Sequence, residues 1–414
     1  MEYLPRKLEK ELEKWIKRDE VILIKGPRQS GKTTLLKYFQ EKYGGTYISL
    51  EFEDLSQALI KDPLLFGKRY VEGKFLYIDE AQYVKDIGKY IKILHDHYKG
   101  RLKIFVTGSG SFEVKENLGK YLVGRAIYFE LLPLTFEEFL LWKDRSLYEV
   151  FIEYSKEFFR FLTSDKLIQK DVIFEIEFLR YWEEFVLYGG FPAIVKEHDE
   201  KIKIQLLKNL LQTYIEKDIF FFLNVRELEK FRSFLKSLSF LTGSLLELSS
   251  LAKELKMDYR TVVNYLNLLV QTYIVESISS YHRNLLTELK KARKLYFLDS
   301  GLRNALLNNF SSFDNRTDKG VILENFVFSE FRKLGLEIKF WRTAAKAEVD
   351  FIIFYEGNLI PVEVELTPEI TRSFISFIKN YSPERAAIIS LNLRRISSKK
   401  LNHTKIFLFP CFYL

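Results

Sequence analysis

The strongest chemical signal in the sequence is a glycine-containing loop between an apolar run and a helical pattern. Residues 26–33 read GPRQSGKT, which fits the phosphate-loop pattern G-x-x-x-x-G-K-[ST] without a departure. Glycines allow successive backbone N–H groups to converge on phosphates, and the positive end of the following helix strengthens that attraction. Lys32 is expected to reach the β- and γ-phosphates of ATP, and the Thr33 hydroxyl to bind Mg²⁺. The residues predicted to bind the nucleotide are Gly26, Pro27, Arg28, Gln29, Ser30, Gly31, Lys32, Thr33 and Thr34.

Two adjacent carboxylates supply the second half of the predicted site. FLYIDEAQ (75–82) is an apolar run that ends in Asp79 and Glu80, 47 residues after Lys32. Asp79 is predicted to contribute to the Mg²⁺ shell, and Glu80 to polarise the attacking water. An apolar run that ends in two acids is a weak signal alone, but this spacing from a complete phosphate loop makes it a strong one.

A third polar end of an apolar run lies further along the chain. KIFVTGSGS (103–111) carries Thr107 and Ser109. Their hydroxyls are predicted to sense the γ-phosphate, and a simple turn is the alternative.

A sheet must position these loops, and the apolar runs predict one. VILIK, TYISLEF, KFLYID and KIFVTG, which begin at residues 21, 46, 74 and 103, are separated by stretches long enough for helices. This alternation predicts an α/β fold with a largely parallel sheet. An aromatic-rich helical pattern follows over 135–230, broken at GGFP (189–192). The pattern of alternating strands and helices returns over 286–414.

The motifs taken together resemble those of one protein family. The series GPRQSGKTTLL, YIDEAQ, TGS, GRAIYFELLPLTFEEF and YGGFP is similar to that of prokaryotic and archaeal AAA+ ATPases, P-loop proteins with a winged helix. Their C-terminal domain is restriction-endonuclease-like, of the PD-(D/E)xK type, with no assigned role. In that family the GR before the LPL motif is a candidate for an arginine that contacts nucleotide, here Arg125. Arg125 is therefore assigned a catalytic role, with surface pairing to Glu130 or another acid as the alternative.

The resemblance and the patterns together predict four domains. They are a P-loop ATPase core of the AAA+ type at 1–135, a helical lid region at 136–230, a winged helix at 231–285 and an endonuclease-like α/β domain at 286–414.

The resemblance implies a PD-(D/E)xK nuclease-like pattern in the C-terminal domain. Four acidic residues there follow the order of that pattern, except that the last one stands where a lysine is expected. Glu324 lies on a predicted helix, and Asp350 and Glu363 lie in predicted strands. In such nucleases the acids bind Mg²⁺ and a lysine two residues after the last acid positions water. Here that position is Glu365, so we predict a vestigial site of Glu324, Asp350, Glu363 and Glu365 without cleavage activity. Lys346 and Lys379 are the lysines considered as substitutes from another element.

Two functional hypotheses apply to the predicted winged helix (231–285). Its second helix offers one cation, Arg260, which is a small electrostatic footprint for reading DNA. Docking on the nucleotide domain is favoured, and DNA binding is the alternative. Residues 1–200 carry a net charge of −2 and residues 201–414 one of +10, which together give +8 for the whole chain. The basic C-terminal half is compatible with a nucleic-acid partner but also with good solubility.

The sequence therefore predicts an ATP-binding and ATP-hydrolysing switch, coupled to an inactive nuclease-like domain. A DNA- or partner-binding module with ATP as a structural ligand, and a Mg²⁺-dependent DNA nuclease, are the alternatives. The predicted cofactors are ATP or ADP and Mg²⁺, and the predicted partners are DNA, another protein or a second copy. The single cysteine excludes an internal disulfide. Because no apolar run approaches 18 residues, no membrane association is expected and the predicted location is cytoplasmic.

Overall fold

The computed structural model describes residues 3–108, 119–164, 166–214, 227–282 and 293–414. Contacts divide the chain into two compact units. The N-terminal unit is the chain through Leu134 together with Phe191–Ala193 and Gln271–Tyr273. The C-terminal unit is Thr135–Gly190, Ile194–Val270 and Ile274–Leu414. The four-domain division therefore stays a prediction.

The N-terminal unit is built on a parallel sheet of five strands in the order β2-β3-β4-β1-β5. The strands are β1 (Val21–Lys25), β2 (Thr46–Ser49), β3 (Phe75–Asp79), β4 (Lys103–Gly108) and β5 (Ala126–Glu130). The helices are α1 (Leu8–Trp15), α2 (Lys32–Tyr43), α3 (Glu53–Lys61), α4 (Pro63–Tyr70) and α5 (Ile87–His97). The predicted α/β fold with a parallel sheet is confirmed here.

Both faces of this sheet are buried. One core contains Leu23, Ile78 and Val106, while the core on the opposite face contains Ile24 and Phe105. Burial on two sides explains why the strands are continuous apolar runs in the sequence. In a parallel sheet all carboxyl ends meet at one edge, so the segments after β1, β3 and β4 leave from the same edge.

The C-terminal unit contains a mixed sheet of seven strands in the order β10-β11-β12-β13-β15-β14-β6. The strands are β6 (Lys170–Asp171), β10 (Glu337–Arg342), β11 (Glu348–Tyr355), β12 (Asn358–Glu365), β13 (Arg385–Ser390), β14 (Arg395–Leu401) and β15 (Thr404–Pro410). Strand β13 runs parallel to β12 and β15, and the other pairs are antiparallel. The prediction that 136–230 is all helical was therefore wrong at Lys170–Asp171, where backbone pairing with β14 overrides a weak local signal.

Helices of the C-terminal unit precede, interrupt and follow its strands. They are α6 (Phe136–Lys143), α7 (Arg145–Thr163), α8 (Glu175–Tyr188), α9 (Pro192–Lys196), α10 (Glu200–Thr213), α11 (Leu228–Phe240), α12 (Leu248–Glu254), α13 (Tyr259–Gln271), α14 (Ser300–Leu307), α15 (Lys319–Lys333) and α16 (Arg372–Tyr381). Parts of α9 and α13 belong to the N-terminal unit.

A small antiparallel sheet follows the helix pair α12 and α13. Its order is β7-β9-β8, with β7 (Leu245–Leu246), β8 (Val275–Ile278) and β9 (Arg293–Phe297). Two short helices and a small antiparallel sheet are thus present. The winged helix, and its DNA-reading or docking role, stay predictions.

The chain ends in a buried turn. Cys411 begins the short 3-10 helix Cys411–Tyr413 after β15 and is fully buried. No helix among the residues that the structure describes has the length and apolar character needed to cross a membrane.

Candidate functional site

The loop between β1 and α2 has a backbone that its glycines make possible. A Cβ added at Gly26 would lie 2.2 Å from the carbonyl oxygen of Leu131, so this position admits no side chain. Gly31 has a φ of 98° and is the N-cap of α2 without a side-chain cap. Gly31 thus provides no side-chain cap, and the start of α2 is a helix N-terminus of the kind that attracts anions.

The Lys32 ammonium lies inside this loop. Lys32 is 6% exposed, and its Nζ donates to the carbonyl oxygens of Gly26, at 2.9 Å, and Pro27, at 2.6 Å. The side chain thus curls back over the loop that contains it, beside the positive end of α2. Two positive features at one place favour a phosphate group.

Asp79, at the end of β3, is the centre of a hydrogen-bond network. Its Oδ2 accepts hydrogen bonds from Thr33 Oγ1 at 2.6 Å and from Tyr47 OH at 2.8 Å. Its Oδ1 accepts from Thr107 Oγ1 and from the backbone N–H of Glu80. Asp79 is 2% exposed, so these donors fix the orientation of its carboxylate.

The oxygen atoms gathered here fit Mg²⁺. Thr33 and Asp79 supply one hydroxyl and one carboxylate, which are the hard ligands that Mg²⁺ takes, and the ion commonly completes its shell with phosphates and water. Among the described residues there is no group of three or more His, Cys, Asp or Glu side chains that could hold a metal alone. The site therefore fits a metal that enters with a phosphate ligand.

Glu80 has an unusual backbone and a raised proton affinity. Its φ of 55° and ψ of 43° lie in the left-handed region, which costs a non-glycine residue on the order of 1–3 kcal/mol and is common at functional sites. Burial, and next the charge of Asp79, raise the pKa of Glu80. Gln82 Nε2 donates to its Oε2. A carboxylate with a raised pKa accepts a proton from water more readily.

Arg6 is a second clamp on the phosphate loop. Its NH1 donates to the carbonyl oxygen of Ser30 at 2.8 Å, and its NH2 donates to that of Leu132 at 2.6 Å. A Cβ added at Gly31 would lie 3.8 Å from Arg6 NH1 and equally far from Pro192 Cγ. The loop is therefore flanked by the N-terminal segment and by Phe191–Ala193, the end of the GGFP motif.

The glycines of that motif have a structural cause within the C-terminal unit. A Cβ at Gly189, whose φ is 78°, would lie 2.1 Å from Asp299 Oδ1. The backbone N–H of Gly190 donates to Asp299 Oδ2 at 2.7 Å, and Leu302 N–H donates to Oδ1 at 3.2 Å. Asp299 thus caps α14 and anchors the turn that precedes Pro192.

A separate group of acids lies in the C-terminal unit, and we name Glu324, Glu348, Asp350, Glu363 and Glu365 the carboxylate cluster. The register pairs Phe351 with Val362, which brings Asp350 beside Glu363. Their carboxyl groups hydrogen-bond to each other, and burial raises the pKa of both. The cluster therefore brings together the four residues predicted from the nuclease-like pattern, together with Glu348.

Comparison with known proteins places this geometry in a family. Residues 18–140 match an AAA domain, and 179–312 and 319–411 match two domains of unknown function, DUF8612 and DUF4143. The uncharacterized protein MJ1544 of Methanocaldococcus jannaschii is 30% identical over 364 residues, which cover 84% of this chain and 75% of that protein. The chain belongs to the family of this archaeal protein. An uncharacterized protein of Haemophilus influenzae is 25% identical over 84% of this chain and 82% of its own length.

Solved structures of nucleotide-bound proteins are similar to this chain at low sequence identity. The Aeropyrum pernix ORC2 protein in its ADP form is 13% identical, with coverage of 75% of this chain and 97% of that chain and a TM-score of 0.31. The replication initiator DnaA bound to AMPPCP and single-stranded DNA is 14% identical, with coverage of 65% and 90% and a TM-score of 0.27.

The AAA domain match in this chain, at residues 18–140, contains the predicted phosphate loop, Asp79 and Glu80. The chain therefore has a nucleotide-binding core of the ATPase type. The structure brings Lys32, Thr33 and Asp79 together as predicted by their spacing. Their catalytic and binding roles stay predictions. Ser109 lies outside the described residues.

Arg125 lies away from the nucleotide site of its own chain. Its carbonyl accepts a hydrogen bond from Val21 N–H at the start of β1, whereas the phosphate loop follows the end of β1, about 13 Å along the strand. Its guanidinium pairs with Asp96, with Nε 2.8 Å from Oδ1. Glu130, the alternative partner considered, pairs with Lys25 instead. Arg125 thus pairs with an acid, which was the alternative to catalysis, and the acid is Asp96. The catalytic role of Arg125, within its own chain or toward a second copy, stays a prediction.

Three residues near the sites carried no signal in the sequence. Tyr47 and Arg6 contact the nucleotide site, and Lys294 contacts the carboxylate cluster. The substitute lysines considered, Lys346 and Lys379, are exposed. Only the strand register and long-range packing bring the three unexpected residues into place.

Proposed function

We propose that this chain hydrolyses ATP at the edge of the parallel sheet and uses the nucleotide state as a switch. The observation that supports this most is the convergence of Thr33, Asp79 and Thr107 beside the Lys32 ammonium. These residues come from α2, β3 and β4, and phosphate-loop ATPases use such residue types for nucleotide and metal.

Each residue has a stated task in the proposed reaction. The loop N–H groups and Lys32 bind the β- and γ-phosphates, and Thr33 and Asp79 would hold Mg²⁺. When bound, Mg²⁺ neutralises charge on the phosphate oxygens. Glu80 orients a water molecule and takes its proton as the water oxygen bonds to the γ-phosphorus and the bond to the ADP oxygen breaks. Thr107 orients the Asp79 carboxylate through the hydrogen bond that it donates to Oδ1.

The proposed switch rests on which segments of the chain belong to each of the two units. Phe191–Ala193 and Gln271–Tyr273 belong to the unit that carries the phosphate loop, whereas the residues before and after them belong to the C-terminal unit. Tyr273 OH donates to Glu130 Oε1 at 3.2 Å, and Glu130 pairs with Lys25, the residue before the loop. A change in the loop is therefore expected to reach both segments. An inactive nuclease-like role for the C-terminal domain remains part of the proposal.

Two substitutions separate nucleotide binding from hydrolysis. Lys32→Ala should abolish binding, because it removes the cation inside the loop. Glu80→Gln should keep binding and lower hydrolysis by about 100-fold or more, because only water activation is lost. Fluorescent ATP titration and phosphate release measure the two steps.

The matched control is Lys42→Ala, which removes an exposed lysine at the other end of the same helix, paired with Glu13. It should change neither step. Equal loss of ATP affinity in Glu80→Gln and Lys32→Ala would contradict the role of Glu80. Unchanged hydrolysis in Lys32→Ala would contradict the whole site.

A further inference from the structure

The carboxylate cluster of the C-terminal unit contains a cation that belongs to the chain itself. Lys294, on β9, is 2% exposed. Its Nζ lies 2.6 Å from Glu348 Oε1, 3.1 Å from Glu324 Oε1 and 4.0 Å from Asp350 Oδ1. One ammonium thus neutralises acids from α15 and β11.

Other groups hold these acids around the ammonium. Tyr296 OH donates to Glu324 Oε1 at 2.6 Å, and Arg342 donates to Glu348. The backbone N–H of Val364 donates to Asp350 Oδ2 at 2.9 Å. Each carboxylate that faces Lys294 therefore also accepts a hydrogen bond from another donor, which fixes the orientation of these acids around the ammonium. Arg342 is a second cation at the cluster and pairs with Glu348.

Glu363, a further acid of the cluster, is held by hydrogen bonds. Thr371 Oγ1 donates to Glu363 Oε1 at 2.9 Å, and Glu363 shares a hydrogen bond with Asp350. A divalent ion would have to compete with the ammonium for the oxygens that face it.

The geometry suits an ammonium rather than a metal ion. Lys294 Nζ makes ammonium–carboxylate contacts of 2.6 and 3.1 Å, so it occupies the space between these acids. Mg²⁺ would need its oxygen ligands at about 2.0–2.1 Å and Ca²⁺ at about 2.3–2.6 Å. In the part of the chain that the structure describes, no three acidic or metal-binding side chains are arranged to hold a metal.

We propose that Lys294 is the resident cation of the carboxylate cluster and fills the place that a divalent metal ion would take. The C-terminal unit thereby keeps a nuclease-like set of acids, and the ammonium that faces three of them is covalently part of the chain. This inference does not depend on ATP hydrolysis, since Lys294 and the phosphate loop belong to different units.

The test replaces Lys294 by an apolar side chain of similar length and adds metal without nucleotide. Lys294→Met should lose stability, because it leaves the partly buried Glu324, Glu348 and Asp350 without the ammonium that faces them. Mn²⁺ should then bind, and it should raise the unfolding midpoint of this variant by about 4 °C or more. The full-length protein without substitution should show no such shift. Calorimetric titration with Mn²⁺ measures the binding directly.

A matched control is available in the same unit. Lys333 forms a buried ion pair with Glu330, with Nζ 3.1 Å from Oε1, and Glu330 is not one of the acids of the carboxylate cluster. Lys333→Met should be destabilised and should gain nothing from Mn²⁺. Adding Asp350→Asn to Lys294→Met should remove the gain, because one ligand is lost.

Two measurements keep the proposal testable if Lys294→Met does not fold. Lys294→Arg retains the charge and should fold without binding Mn²⁺ at the cluster. Mn²⁺ binding by the unsubstituted protein that disappears in Asp350→Asn would overturn the proposal. A folded Lys294→Met that shows no gain in Mn²⁺ affinity or stability would overturn it equally.

Discussion

At the scale of single residues, the Asp79 carboxylate shows how the nucleotide site is held together. It accepts hydroxyl hydrogen bonds from α2, β2 and β4, through Thr33, Tyr47 and Thr107. Groups that orient a metal-binding carboxylate commonly change metal affinity by about 10- to 100-fold when they are removed. Tyr47 is therefore a positioning residue for the proposed metal site.

The first prediction concerns that tyrosine. Tyr47→Phe should keep nucleotide affinity in the absence of metal and raise the Mg²⁺ concentration for half-maximal hydrolysis by about tenfold. A Mg²⁺ titration of phosphate release measures this effect. Tyr77→Phe is the control. Tyr77 OH also makes a buried hydrogen bond, but it donates to the backbone carbonyl oxygen of Phe39 and not to Asp79. Equal Mg²⁺ curves for the two variants would rule out the positioning role.

The carboxylate cluster predicts a pH dependence of stability. Burial, and next the Asp350 charge, raise the pKa of Glu324 from 4.5 to about 7. A carboxyl with a raised pKa binds its proton more tightly in the folded chain, so the free energy of unfolding should fall as pH rises from about 4.5 to about 7. Burial raises the pKa of Glu363 and Glu365 in the same direction.

Urea unfolding of the full chain at several pH values measures this slope. We expect a fall of about 1–3 kcal/mol across the window. Glu324→Gln should flatten it, because the amide cannot ionise. A slope that is unchanged in this variant would assign the effect to other groups. Asp318 is no competitor in this window, because although burial raises its pKa, hydrogen bonds from Arg316 and Arg303 lower it to about 2.

Sequence motifs predicted the residues that act through local spacing and missed those that act across the fold. Lys32 and Thr33 lie within one loop, and Asp79 and Glu80 end one apolar run. Tyr47 reaches Asp79 only because β2 and β3 pair in a register that puts Ser49 beside Asp79. Lys294 reaches Glu348 and Asp350 from β9, which belongs to a different sheet from β11, and it reaches Glu324 on the helix α15. No local pattern encodes such distances.

At the scale of elements, strand order determines which hydroxyl reaches Asp79. β4 lies between β1 and β3, so Thr107 stands between the phosphate loop and Asp79. The sequence predicted these strands because both of their faces are buried and their residues are almost all apolar. It did not predict β5, whose five residues are all at least partly exposed. Order depends on the connections between strands, which apolar runs do not encode.

The second element is the Gly189–Gly190 turn. Gly189→Ala should destabilise the chain by about 3 kcal/mol, because its Cβ would meet the Asp299 carboxylate and its φ is positive. Gly335→Ala is the matched control, with a φ of 75° and no atom within 4 Å of the added Cβ. It should cost about 1 kcal/mol, the backbone part alone. Denaturant unfolding compares them, and equal losses would mean that the Asp299 contact is unimportant.

At the scale of the whole molecule, two short segments from later in the sequence belong to the N-terminal unit. Phe191–Ala193 and Gln271–Tyr273 join the N-terminal unit from distant positions in the sequence. The four predicted domains followed composition and motifs, which do not reveal that a few residues from later segments return to the first unit. Long-range packing alone determines that these segments belong to the N-terminal unit.

A hydrogen-exchange experiment tests the signal. ATP added to Glu80→Gln should slow amide exchange in peptides that cover 189–196 and 271–276 by about tenfold, because loop ordering restricts local opening. Lys32→Ala treated in the same way should show no change. Protection confined to the phosphate loop itself would mean that these segments do not respond to nucleotide.

Cys411 gives the chain a practical property. It is the single cysteine of the sequence and it is fully buried. Burial raises the pKa of its thiol well above the ordinary value, so the thiol stays protonated and shielded at neutral pH. A cysteine introduced at an exposed position such as Val123 or Ile176, 75% and 80% exposed, should be the one thiol that maleimide reaches. The natural chain is therefore a ready template for attaching a single fluorophore at a chosen surface position.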